Sequence, residues 1–221
     1  MLWILASLLF IACAAREVLY GFVPKPGYDR TTPPSGSYIA LMLGIAALLA
    51  WPTLHRWHFE HFLSRKATEL ADQHRAIVHC NTLFDTMIDP EMLAAGHANP
   101  RTGKIGIQTP WCSRLMAYLR HPARASPEEI WSLNMFTHES MHVRGEMNEA
   151  RTECQAVQRN YRAAKLLGVP DPIAKQNALD YYHNSYLHRP DMGFLQASYY
   201  SSECAPGKAW DEHLPDSTWA P

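Results

Sequence analysis

The stretch that decides the fold of this 221-residue chain runs from residue 126 to residue 157 and reads SPEEIWSLNMFTHESMHVRGEMNEARTECQAV. It opens with a capping box, in which Ser126 caps a helix and Glu129 stands at the third helical position. Gly145 is a typical helix end, and Asn148 is suited to cap a second helix. The pattern therefore predicts two consecutive helices that are joined by a short turn and run in opposite directions.

The first of these helices carries the pattern His-Glu-x-x-His at residues 138–142. Residues four apart share one helix face, so His138 and His142 can direct their imidazoles at one point, as a metal ion with nitrogen ligands requires. Glu139 stands beside that point, where its carboxylate can act as general base toward a water molecule that zinc has acidified. Because five letters can arise by chance, the well-capped helix around them is what makes the pattern informative.

The second helix supplies acidic residues in a matching register. If the chain reverses after Gly145, Glu149 lies level with His142 and Glu153 lies level with His138. We expect Glu149 to be the third zinc ligand and Glu153 to accept a hydrogen bond from the outer nitrogen of His138. Two alternatives stay open: the two acids exchange these roles, or they form an exposed acidic face that nearby arginines balance.

These motifs resemble the gluzincin group of metallopeptidases, in which HExxH is followed on the next helix by Glu-x-x-x-Asp. In that group the first acid binds zinc and the second supports a ligand histidine, so the resemblance maps Glu149 to the ligand and places Glu153 where aspartate is usual. The interval after His142 is much shorter than in most gluzincins. The chain also resembles a set of bacterial proteins that share His-Glu-Ser-x-His-x-x-Gly and Glu-Ala-x-x-Glu-Cys-x-Ala, here residues 138–145 and 149–156. This resemblance implies a zincin-like metal-binding core.

Two apolar segments near the N-terminus predict a membrane anchor over residues 1–55. The first, at about 2–15, is either a short span or a signal peptide. The second, at 38–54, is close to the minimum length of a transmembrane helix, and a buried core helix is its alternative. Residues 56–75 predict a charged juxtamembrane helix, and residues 76–221 the zincin-like metal-binding domain.

The flanking charge and the cysteines give the expected location of that domain. The loop between the spans and the flank after the second span carry equal numbers of basic residues. Arg16 follows the first span and no basic residue precedes it, which favours a cytoplasmic loop and a domain outside the cytoplasm. An even number of cysteines follows the spans, which suits two disulfides in an oxidising compartment. The sequence leaves the pairing open and is also compatible with unpaired, buried thiols. The four residues are Cys80, Cys112, Cys154 and Cys204.

Other patterns concern the sheet, the reaction and the partners. Residues 76–80 and 103–109 predict short strands. Residues 104–109 are a candidate exposed edge to which a peptide could add as a further strand, and a plain structural strand is the favoured alternative. Four aromatic residues are candidates for supporting an oxyanion, although aromatic packing explains each of them equally well: Tyr182, His183, His188 and Tyr199.

The net charge of −1 gives no basic surface for nucleic acid.

The sequence thus predicts a mainly α (α+β) protein, in which an N-terminal transmembrane helix or hairpin precedes a small zincin-like domain with a short β-sheet. We expect a membrane-anchored, zinc-dependent hydrolase of the metallopeptidase type. In this hypothesis Glu139 activates water for attack on the amide carbonyl of a peptide or protein substrate. The alternative is a non-catalytic extracytoplasmic binding module in which the metal only joins two helices.

Overall fold

The computed structural model describes residues 2–22 and 33–220 and is mainly helical, with one small sheet. Within those residues the chain forms eight α-helices, three strands and two short 3-10 helices. The α-helices are α1 (Leu2–Phe22), α2 (Gly36–Leu70), α3 (Leu83–Ile88), α4 (Trp111–Arg120), α5 (Pro127–Arg144), α6 (Glu149–Leu166), α7 (Asp171–Asn184) and α8 (Phe194–Ala197). The strands are β1 (Ile77–Cys80), β2 (Gly96–Asn99) and β3 (Lys104–Ile107), and the 3-10 helices are Pro122–Arg124 and Tyr186–Met192.

The chain divides into two compact units, Met1–Phe59 and Glu60–Pro221. The first contains two helical stretches, Trp3–Phe22 and the start of Gly36–Leu70, that are long and apolar enough to cross a membrane. The part of the predicted anchor at residues 23–32 lies outside the described residues. The predicted boundaries at 55/56 and 75/76 stay predictions.

The apolar segments form longer helices than the sequence predicted. The first helix runs to Phe22, well beyond residue 15, and the second span is continuous with the predicted juxtamembrane helix across Pro52. That continuous helix ends at Leu70 and does not reach residue 75. It stops there because Asp72 and Gln73 adopt left-handed backbone angles, with φ of 52° and 70°.

The sheet has the order β1-β3-β2, with β1 parallel to β3 and β2 antiparallel to it. The prediction that residues 104–109 form an exposed edge was therefore wrong, since β3 is the central strand. The edge beside it is β2, whose sequence Gly-His-Ala-Asn has no β-branched residue and no apolar alternation to reveal it. Gly106 of β3 faces His97 of β2, and a Cβ at Gly106 would lie 2.5 Å from the imidazole.

Helix α5 lies at the centre of the second unit. As predicted, α5 begins at the Ser126 capping box and ends at Gly145, whose φ of 114° is left-handed. The Asn148 side chain caps α6 by accepting a hydrogen bond from the backbone amide of Arg151. Every residue of α5 from 132 to 143 is buried. Helices α5 and α6 pack against each other in the expected antiparallel register, and α7 packs against both.

Both disulfides form, which settles the pairing that the sequence left open. Cys80–Cys112 joins β1 to α4, and Cys154–Cys204 joins α6 to the C-terminal segment, with Cα–Cα distances of 5.7 and 5.5 Å. The second bond lies in a core of aromatic side chains that includes Tyr181, Tyr182 and Tyr186. The described free cysteine is Cys13, on α1.

Replacement of both Cys154 and Cys204 by serine tests how much the second disulfide stabilises the fold. The bond closes a sequence separation of 50 residues, so we expect a loss of about 2–5 kcal/mol in the free energy of unfolding. Denaturant unfolding of the full-length protein in detergent, followed by tryptophan fluorescence, measures it. The matched control is Cys13→Ser, for which we expect no change; equal stability of the two variants would contradict the prediction.

Candidate metal centre

Three ligand atoms from α5 and α6 converge on one point. The Nε2 atoms of His138 and His142 lie 3.1 Å apart, and Oε2 of Glu149 lies 3.2 Å from the first and 3.5 Å from the second. In a tetrahedral site with metal–ligand bonds near 2.0–2.1 Å, ligand atoms are about 3.4 Å apart. Among the residues that the structure describes, this is the His/Cys/Asp/Glu group that could hold a metal ion. The donor set and its spacing fit such an ion.

The outer nitrogen of each histidine is already engaged by an acceptor. His138 Nδ1 lies 2.9 Å from Oε2 of Glu153, and His142 Nδ1 lies 2.8 Å from the backbone carbonyl oxygen of Glu146. When a metal binds, each Nδ1 keeps its proton and donates it to that acceptor, so that Nε2 can offer its lone pair to the shared point. The sequence predicted the contact with Glu153, but the carbonyl of Glu146 could not be found from side-chain patterns.

Glu153 is the centre of a buried polar network. Its side chain is 1% exposed, and Oε1 accepts hydrogen bonds from Arg189 Nη2 at 2.8 Å, Tyr181 Oη at 2.8 Å and Asn134 Nδ2 at 2.9 Å. Burial alone would raise the pKa of Glu153, but the charge of Arg189 and the hydrogen bond with His138 lower it. Glu153 is thus an ionised acceptor that fixes the His138 ring.

The two predicted acids differ in their surroundings. Glu149, at the first position of α6, is half exposed and directs Oε2 at both histidines, whereas Glu153 is fully enclosed and engages only the outer nitrogen of His138. The hydrogen bonds with His138 and His142 lower the pKa of Glu149. The group that could hold a metal ion therefore includes Glu149 and not Glu153, and the roles of ligand and support stay predictions.

Glu139 is buried beside the convergent atoms, and its Oε2 has no hydrogen-bond partner among the described residues. Burial raises its pKa. The edge strand passes against it: a Cβ at Gly96 would lie 3.2 Å from Oε1 of Glu139 and 2.7 Å from the sulfur of Met135. A glycine is therefore needed at this point of β2 so that the strand can approach the carboxylate.

A cavity of about 320 Å³ opens onto the metal centre. One part of its wall is polar and is formed by Asn134, His138, Glu139, Glu153, Arg189, Gln196 and Tyr199. The other part is apolar and includes Leu93, Trp111, Trp131, Met135 and Leu195. The volume is that of a small-ligand site, and its wall combines apolar side chains with convergent polar groups in similar measure.

The four aromatic candidates for oxyanion support fall into different places. Tyr182 packs in the aromatic core against Tyr186, and both His183 and His188 are exposed. Only Tyr199 of the four lines the cavity, with its ring centroid 5.6 Å from that of His138.

The sequence analysis missed three side chains that donate to Glu153: Asn134, Tyr181 and Arg189. The most distant of them in the chain from Glu153 is Arg189. It lies in the 3-10 helix Tyr186–Met192, 36 residues beyond Glu153, in a region without helical periodicity. Nothing in its local sequence distinguishes it from a surface arginine.

Comparison with known proteins adds no relative: no family model, no curated protein and no solved structure matches this chain.

Arg189→Ala tests the buried network. Removal of the guanidinium leaves the charge of Glu153 enclosed with weaker compensation, so we expect a loss of about 3–5 kcal/mol in the free energy of unfolding, measured by denaturant titration. Arg120→Ala, at an exposed arginine of α4, is the matched control and is expected to change little. Similar values for the two variants would show that Arg189 is not a structural counter-charge.

The variants Glu149→Ala and Glu153→Ala test which of the two acids is the zinc ligand and which one only orients His138. We expect Glu149→Ala to lose bound zinc, whereas Glu153→Ala keeps it with an affinity reduced about 10–100-fold. Metal content after dialysis against a competing chelator measures both variants. Zinc lost from Glu153→Ala and kept by Glu149→Ala would reverse the two roles.

Zinc binding is expected to release protons. Burial opposes a charged imidazole at His138, but hydrogen bonds with Glu149 and Glu153 outweigh it and raise the pKa of His138 to about 10 in the metal-free protein. At pH 7 the metal must therefore displace a proton, and zinc affinity must rise with pH toward that value. Calorimetric titration with Zn²⁺ in buffers of different ionisation enthalpy counts the protons, with about one expected. A binding enthalpy that is independent of the buffer would contradict this.

Proposed function

We propose that this chain is a membrane-anchored, zinc-dependent hydrolase of the metallopeptidase type. The observation that carries the proposal is the state of Glu139: a carboxylate buried next to three convergent ligand atoms, with an oxygen that no described residue engages. Burial of an unsatisfied carboxylate is unfavourable, so such a group is expected where its chemistry is used. A purely structural metal centre would have no need of it.

The roles of the residues follow from their positions. His138, His142 and Glu149 would hold zinc, which when bound polarises an amide carbonyl and lowers the pKa of water. Oε2 of Glu139 takes up the proton of the attacking water and can deliver it to the departing nitrogen. Glu153 keeps His138 in the tautomer that exposes Nε2, and Arg189 keeps Glu153 ionised.

The edge strand supports a peptide as the substrate. Strand β2 is bonded only to β3 within the described sheet, and its Gly96 lies against Glu139. An extended peptide that adds to the free side of β2 would have its backbone beside the general base. The cavity next to it has room for a side chain of the substrate.

Two further features support a location at the membrane with the metal domain outside the cytoplasm. The helices Trp3–Phe22 and Gly36–Leu70 are long and apolar enough to span a bilayer. The two disulfides, Cys80–Cys112 and Cys154–Cys204, are typical of oxidising compartments.

The alternative is a binding module in which a closed metal site joins α5 and α6. It would need a fourth protein ligand, such as His183 or His188. Both are exposed, and neither belongs to the metal-binding group among the described residues. The cavity that reaches His138 and Glu139 also favours the enzyme.

Glu139→Gln tests the catalytic proposal directly. Because Glu139 is not a ligand, we expect the variant to keep stoichiometric zinc while hydrolysis falls by about 10²–10⁴-fold. Zinc content and cleavage of a mixed peptide library, followed by mass spectrometry, are measured on full-length protein in detergent. Unchanged cleavage would exclude Glu139 as the base, and an absence of cleavage by the unmodified zinc-loaded protein would favour the binding module.

A further inference from the structure

Two short helices of the second unit expose side chains that a protein normally buries. Helices α3 and α8 bury none of their residues. On α3, Leu83, Phe84, Met87 and Ile88 each expose about two thirds of their surface. A helix of six residues is not stable on its own and ordinarily depends on packing of its apolar face. In the described structure no residue of α3 is buried by such packing.

These exposed side chains lead to the mouth of the cavity. Leu93, which follows α3 on the way to β2, is 94% exposed, and Phe194, at the start of α8, is 93% exposed. Leu93 and Leu195 both line the cavity, so its opening has large apolar groups on two sides. We call the exposed side chains of residues 83–95 and 192–197 the apolar rim: Leu83, Phe84, Met87, Ile88, Met92, Leu93, Met192, Phe194 and Leu195.

We propose that the apolar rim inserts into the lipid interface of the membrane that holds α1 and α2, so that the cavity opens at the bilayer surface. A cluster of exposed apolar side chains of this size marks an interaction surface. Anchoring by the candidate spans keeps this surface close to a bilayer at all times, which makes lipid the most available apolar partner. The proposal rests on the membrane anchoring put forward above and is independent of hydrolysis.

The composition of the rim favours lipid over a protein partner. Residues 83–95 and 192–197 contain no Trp, Tyr or Arg, which are the residue types that dominate protein–protein contacts. Their charged side chains are acidic: Asp85, Asp89 and Glu91. Anionic headgroups would repel these acids, so the rim fits a zwitterionic lipid such as phosphatidylcholine.

Environment-sensitive fluorophores on single cysteines test the proposal. Phe84→Cys and Phe194→Cys are made in full-length protein carrying Cys13→Ser, labelled with a nitrobenzoxadiazole dye, and placed one copy per phosphatidylcholine nanodisc. Met147→Cys is the matched control, since Met147 is an exposed apolar residue outside the rim. Retention of bound zinc by each labelled protein reports that the domain is folded.

We expect a blue shift of the emission at positions 84 and 194, together with quenching by spin-labelled phosphatidylcholine, and neither effect at position 147. Emission at 84 and 194 equal to that at 147 would overturn the proposal. So would a blue shift that spin-labelled lipid does not quench, which would indicate a protein partner, or one that needs two copies per disc, which would indicate a second copy of this chain. Failure of the chain to enter nanodiscs would reject the anchoring itself. None of these results depends on whether the protein cleaves peptides.

Discussion

The carboxylate of Glu153 is the group on which the arrangement of the second unit depends. It contacts α5 through His138 and Asn134, α7 through Tyr181 and the following 3-10 helix through Arg189. A buried charge is stable only where several donors surround it, and here the donors come from three different elements of the chain. The packing of three helical elements and the orientation of a histidine are thus determined by the same hydrogen bonds.

The proposed ligand histidines and Glu139 lie on neighbouring sides of α5, and the cavity reaches both His138 and Glu139. One face presents His138 and His142 to α6, where Glu149 completes a set of three ligand atoms. Glu139 lies one residue further along the helix and therefore points to another side, toward β2 and the cavity. The residue proposed to move the proton, Glu139, is therefore not one of the residues proposed to hold the metal. His138, Glu139 and His142 nevertheless lie within about one turn of α5, and Glu149 lies on the neighbouring α6.

The sequence predicted those parts of the structure that depend on local patterns. The capping box at Ser126, the helix end at Gly145 and the spacing of Glu149 and Glu153 defined the antiparallel helix pair, and the contacts of that pair follow from helix geometry alone. The sequence failed where position depends on distant packing. Strand β2 has no strand-forming pattern and exists because β3 pairs with it, and Arg189 reaches Glu153 only after α7 and the 3-10 helix have folded back. The zincin-like assignment and the reaction stay proposals.

The disulfide between Cys154 and Cys204 has a consequence for folding. The residues after Cys154 that line the cavity or donate to Glu153 all lie inside the covalent loop that this bond closes: Tyr181, Arg189, Leu195, Gln196 and Tyr199. While the thiols are reduced, only non-covalent contacts keep these residues next to His138. Oxidation shortens the distance that this segment can explore. The reduced chain therefore loses more conformational entropy than the oxidised chain when it brings these residues together.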